Sequence, residues 1–304
     1  MKKIKLLSAV YKTLIYSDIF GSPLHKEDLY TYLYKYKIEK NTFLKMIDSV
    51  PFLTHVDSII VLKGREKLLS NYSQRVKESD KKLRSISRIL AIMGKIPTIL
   101  LIGISGSVAA QNAKKEADVD LFIITRDHTL WVTRFFVFCL LSIFNRKRKV
   151  NVRIAPDTIC TNFWMSESHC SFLQKNIFIA REIIQMKIVC NKENMYHRFM
   201  QKNKWVFTYF PNFTYTKNFS RKRMISIVWK LLSMVNLCMY GIQYAYMKNK
   251  ITREKVSLHM AAFHPKDISS VILEMYNHRL KIYKNEAKSL NKPISAHHYI
   301  TPGS

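Results

Sequence analysis

Asp118 and Asp120 stand two residues apart at the head of the apolar run VDLFIIT, and Gly106-Ser107 follows the apolar run PTILLIGI just upstream. In a strand, alternate residues share a side, so both carboxylates point one way while Val119 and Leu121 point the other. Two carboxylates held a few ångströms apart repel each other unless a cation lies between them. Hard oxygen donors of this kind suit Mg²⁺ or Mn²⁺, with phosphate oxygens completing the shell. Gly106 lets the backbone approach a ligand closely, and Ser107 offers a hydroxyl where a strand turns into a helix, a place that favours phosphate. Phosphate donors and a metal-binding pair thus meet at the ends of two strands.

The segments that must position these residues alternate. Strand, turn, short helix and strand are followed by a long helix over 129–144, the basic loop NRKRK, and the strand candidates VNVRI and TICTNFWM. That order predicts an α/β layer. Upstream, residues 4–20 have helical spacing. A second helix opens at the KED cluster after Gly21 and Pro23, and a third, EKNTFLKMIDSV, stops near Pro51. FLTHVDSIIVLKG then alternates as a small hairpin turning at His55–Ser58. Three helices and a hairpin predict a winged helix-turn-helix. Its third helix holds Lys40 and Lys45 but also Glu39 and Asp48, so DNA reading and a packing role both stay open.

Residues 65–93 read as one long helix with a basic face. From about 170 to 290 nearly everything reads as helix, including NIFIAREIIQMKIV, and the end, NKPISAHHYITPGS, reads as a tail. The expected fold is therefore α+β, with a winged helix over 1–64 and a basic connecting helix over 65–95. A small mixed-sheet core over 96–195, a helical domain over 196–290 and a tail over 291–304 complete it.

Composition narrows the partners. The chain has 304 residues, 48% of them hydrophobic, which is the make-up of a folded protein. Lys and Arg number 50 against 21 Asp and Glu, a net charge of +29 that favours nucleic acid or other polyanions. Part of that excess also fits a Lys-, Ile- and Asn-rich composition in which lysines simply cover the surface. Five cysteines without a CxxC pair fit reduced thiols and a cytoplasmic location. Lys12 and Asp18 interrupt the apolar N-terminal stretch, against a signal peptide. Residues 224–247 carry a single charge, Lys230, yet Ser233, Asn236 and Gln243 recur through them; a helix buried between others explains this better than a membrane span.

The stretch SGSVAAQNAKKEADVDLFIIT resembles the signature of the polymerase-β-like nucleotidyltransferase superfamily. With the segments LWVTRFF, AREIIQMK and ITREKVSLHMAAFHPKD, and the winged-helix N-terminus, the chain is similar over nearly its whole length to bacterial or archaeal nucleotidyltransferase-domain proteins. The resemblance implies that Gly106 and Ser107 hold the triphosphate of an NTP. It also implies that Asp118 and Asp120 bind two metal ions. One feature departs from the pattern: the third carboxylate expected on a later strand is missing from both candidates. Asn151 or Asn162 stands in those strands and can ligate a metal but is no base, and Asp157 falls between them. Read from the residues alone, Glu182 is an exposed helical glutamate near Lys187. By likeness to some antibiotic-modifying relatives it can instead reach the site from a helix.

Arg134 and Lys187 are candidate triphosphate contacts, and His264 is read as fixing a helix start. The expectation is a metal-dependent nucleotidyltransferase acting on an unknown hydroxyl acceptor. The alternative is a DNA-binding regulator whose degenerate transferase domain senses a nucleotide.

Overall fold

The computed structural model describes residues 2–146, 158–216, 228–249, 255–262 and 268–289. Asn151, Asp157, His264 and the tail lie outside the described residues. The chain is a mixed α+β protein. It begins with α1 (Lys2–Ile19), β1 (Leu24–His25), α2 (Lys26–Thr31), α3 (Lys40–Ile47) and the hairpin β2 (Leu53–Val56) and β3 (Ile59–Leu62). Helices α4 (Lys67–Ser70) and α5 (Tyr72–Lys95) lead to β4 (Ile99–Ser105), α6 (Gly106–Ala109), β5 (Val119–Thr125), α7 (Leu130–Ile143) and β6 (Ile159–Ser166). There follow α8 (Ile177–Gln185), β7 (Lys187–Asn191), α9 (Met195–Lys202), α10 (Val206–Tyr209), α11 (Val228–Met247), β8 (Lys255–Ser257), β9 (Met260–Ala262) and α12 (Ile268–Ser289).

Two sheets result. Strands β1, β3 and β2 form a small antiparallel one, and the larger runs β7-β4-β5-β6-β9-β8. Within the larger sheet β5 and β6 are parallel and the other pairs antiparallel, so the sheet is mixed. Period-two alternation sorts β5 between two cores. Leu121 and Ile123 join Ile86 and Met93 of α5 and Trp131 and Val137 of α7. Phe122 and Ile124 face the other way and join Ala180 and Ile183 of α8 and Phe199 of α9. By the same alternation Asp120 lies on the α8 side.

The N-terminal elements are tied to the second core by more than apolar contact. The Asp18 carboxylate, 6% exposed, accepts from Arg65 Nε at 2.6 Å and from Arg279 of α12. Asn212 accepts the Ile38 N–H and donates to the Tyr30 and Tyr36 carbonyls.

Several expectations need correcting. The helix foreseen over 65–93 breaks at Asn71, which ends α4 and begins α5. The hairpin turn is only Asp57-Ser58; His55 and Val56 belong to β2. MKIV is not helical: Lys187–Asn191 form the edge strand β7, where Ile188 and Val189 suit a pleated backbone. The segment 255–262 is a hairpin that extends the main sheet beyond β6, so the span 196–290 is not helical throughout. Arg134 does not face a phosphate site. It is 6% exposed, stacks over Phe138 and hydrogen-bonds to Gln243, so it serves the α7–α11 interface.

Among the described residues no helix is long and apolar enough to cross a membrane. The helix α11 is not buried between others, since Met234, Leu237, Ile242 and Tyr246 are exposed; Asn236 and Gln243 tie it to α7. Asn236 Oδ1 accepts the Trp131 and Val132 N–H groups at 2.7 and 3.2 Å, and Gln243 donates to the Trp131 carbonyl.

Candidate active site

The site forms where β4 ends and β5 begins. Antiparallel pairing sets Ser105 beside Asp120, so the turn into α6 folds over the two aspartates. Gly106 makes that turn possible. Its φ of +65° lies in the left-handed region, and a Cβ there would overlap the Asp120 carboxylate. Asp118 and Asp120 are half-buried.

On the other side β6 runs parallel to β5 and pairs Cys160 with Asp120. One oxygen from each aspartate and the Cys160 sulfur lie within 4.8 Å of one another. The strand next to the aspartates thus presents a thiol. Asn162 lies two residues further along β6, and its side chain is outside the described residues. Sequence reasoning did not reach Cys160. Its place depends on the register of a parallel pair set by the crossover through α7, and cysteine is not a residue one seeks beside Mg²⁺.

Asp118 and Asp120 supply the hard oxygens that Mg²⁺ or Mn²⁺ prefers, whereas a sulfur is a soft donor and adds little to a Mg²⁺ shell.

A cavity of about 470 Å³ opens beside this edge. Asp118, Gly106 and Ser107 line it from the sheet, Glu182 and Arg181 from α8, and Tyr16 and Phe20 from the N-terminal module. Glu182 is therefore not an exposed helical residue. Its carboxylate accepts the Gly106 N–H, which lowers its pKa, but burial outweighs this and raises the value above 4.5. The carboxyl reaches the site from a helix, on the same side of the sheet as Asp120.

Lys187 does not line this cavity. It opens β7 and borders a smaller neighbouring one with Arg181 and Asp28. Sequence reasoning also missed Arg181 and Tyr16: nothing in a lone Arg or Tyr marks it as cavity-facing until α8 and α1 are packed.

No protein-family model, curated protein or solved structure matches the chain.

Proposed function

We propose that the protein is a metal-dependent nucleotidyltransferase, working in the cytoplasm, that moves a nucleoside monophosphate from an NTP to a hydroxyl acceptor. The observation that carries this reading is the convergence of Asp118, Gly106, Ser107 and Glu182 on one cavity of about 470 Å³, with Asp120 beside Gly106. That volume falls within the usual range for a small-molecule site. Asp118 and Asp120 would hold one Mg²⁺ or Mn²⁺, which when bound supplies positive charge to the triphosphate.

The chain's own groups account for the rest. The Gly106-Ser107 turn, whose glycine makes room for the Asp120 carboxylate, brings Ser107 to the cavity wall, where its hydroxyl can meet phosphate oxygens. Glu182 takes the proton of the acceptor hydroxyl as its oxygen bonds to the α-phosphorus and pyrophosphate departs. A carboxyl with a raised pKa is the stronger base for that work.

Isothermal titration with Mg²⁺ and each NTP tests the proposal. Binding by the wild type and its loss in the Asp118→Ala/Asp120→Ala double variant is the expected result. Indistinguishable titrations would sink the site.

A second reading rests on Cys160, which stands beside Asp120 where the family resemblance leads one to seek a third carboxylate. It is a DNA-binding regulator whose transferase domain senses a nucleotide. The order helix, short strand, helix, helix, hairpin in residues 2–62 supports a winged helix. The exposed charges of its third helix are partly spent, however, since Lys40 pairs with Glu27 at 2.6 Å and Asp48 with Lys26 at 2.6 Å. Salt-dependent duplex binding without turnover of labelled NTP would favour the regulator; nucleotidyl transfer would exclude it.

A further inference from the structure

Arg181 stands beside Glu182 on α8 and divides the space next to the aspartates. On one side is the cavity already described. On the other is a chamber of about 210 Å³. Ser22, Ala110, Arg181 and Gln185 line both, so the two share a wall. The smaller chamber adds Lys187, Gln111, Asp28 and the rings of Tyr32 and Tyr72.

Arg181 is only 5% exposed, and its guanidinium carbon lies 3.1 Å from the Tyr32 ring centroid. Among the described residues its one hydrogen bond runs from Nε to Gln185 Oε1 at 3.0 Å. No carboxylate among them lies within ion-pair distance of it. The Lys187 ammonium is also without a hydrogen bond or ion pair among the described residues. A buried cation is costly unless an anion offsets it. The terminal N–H groups of a guanidinium form a fork that matches phosphate oxygens, and an ammonium adds a compact point charge. Burial depresses the pKa of both cations, and the nearby Asp28 carboxylate offsets this only in part.

We propose that this chamber is the acceptor subsite, and that the acceptor is a small hydroxyl compound bearing a phosphate monoester. Arg181 and Lys187 hold the phosphate, and the hydroxyl points past Gln185 toward Glu182. The proposal rests on the nucleotidyltransferase reading and names its substrate class. The chamber's size admits a small molecule rather than a polymer segment. Asp28 is the one carboxylate on its wall, and burial raises its pKa although Arg181 and Lys187 nearby favour its ionised form.

In the transfer the acceptor O–H loses its proton to Glu182. The new bond forms between that oxygen and the α-phosphorus, and the bond from the α-phosphorus to the bridging oxygen breaks, releasing pyrophosphate.

The test is calorimetric titration of inorganic phosphate into protein saturated with Mg²⁺ and a non-hydrolysable NTP. Wild type is expected to bind phosphate without releasing the nucleotide. Lys187→Gln, at a half-buried edge position that tolerates the change, is expected to weaken phosphate by about tenfold or more, as loss of a charged hydrogen bond does. Its nucleotide affinity should stay within about twofold. Arg181→Gln should weaken phosphate further, but as a buried change it is read only if circular dichroism shows a folded protein. Phosphate affinity unchanged in Lys187→Gln, or phosphate that displaces the nucleotide, overturns the chamber. Failure of the transferase reading is separate: it shows as wild type that binds no Mg²⁺–NTP, whatever phosphate does.

Discussion

Each group at the aspartate edge of the sheet depends on one close neighbour. Gly106 has a positive φ and lies against Asp120. Gly106→Ala therefore strains the backbone and displaces the carboxylate. The expected loss is about 1–3 kcal/mol in chemical denaturation, with metal affinity falling as well. Glu182 makes the pH prediction. Its folded pKa lies above the unfolded value, so the folded state binds that proton more tightly. The stability it contributes is complete below the ordinary glutamate value of 4.5 and fades as pH rises through the raised one. Activity should move the other way, rising with pH as the base ionises. Glu182→Gln is expected to flatten both profiles and lower kcat by about 10²–10⁴, checked by melting temperature and initial rate across pH. Asp118, Asp120, Gly106 and Ser107 were legible because their relation is local, a strand and a tight turn. The placement of Arg181 and Cys160 was not, and Glu182 was reached only through the family resemblance, since each comes to the site only when α8 crosses the sheet or β6 takes its register.

Among the elements, α7 and α11 show how two helices with one charge each are held together. The first N–H groups of a helix have no partner within it, and Asn236 of α11 accepts two of those of α7. Asn236 is 1% exposed, so no water replaces it. Asn236→Ala should cost about 2 kcal/mol, read by urea denaturation, without changing nucleotide binding. The polar interruptions that argued against a membrane span from sequence thus acquire a partner. The same scale explains the misread strands. Lys187–Asn191 and 255–262 are short and lie at or near the sheet's edges. Their apolar residues suit either a helix or a strand until β4 or β6 supplies the neighbouring backbone, and a short apolar run carries no period that decides.

At the scale of the whole molecule, the N-terminal module is a wall of the cavity rather than an appendage. Tyr16 of α1 and Phe20 just after it line the cavity, and Asp18 of α1 is held by Arg65 and Arg279. Asp18→Ala leaves two arginines without their shared carboxylate and should cost about 3 kcal/mol by thermal or chemical unfolding. It should also weaken nucleotide binding, because the wall loosens. Asp18 and Arg279 are 261 residues apart in the chain. During synthesis, therefore, α1 is made long before the helix that secures it, and a loop spanning most of the chain must close before the chamber is sealed. Loop closure of that length slows folding, and the part of α1 that packs on α12 stays uncovered meanwhile. A ribosome-bound chain halted before Arg279 would hold the aspartates and the turn while its cavity still lacked a secured wall.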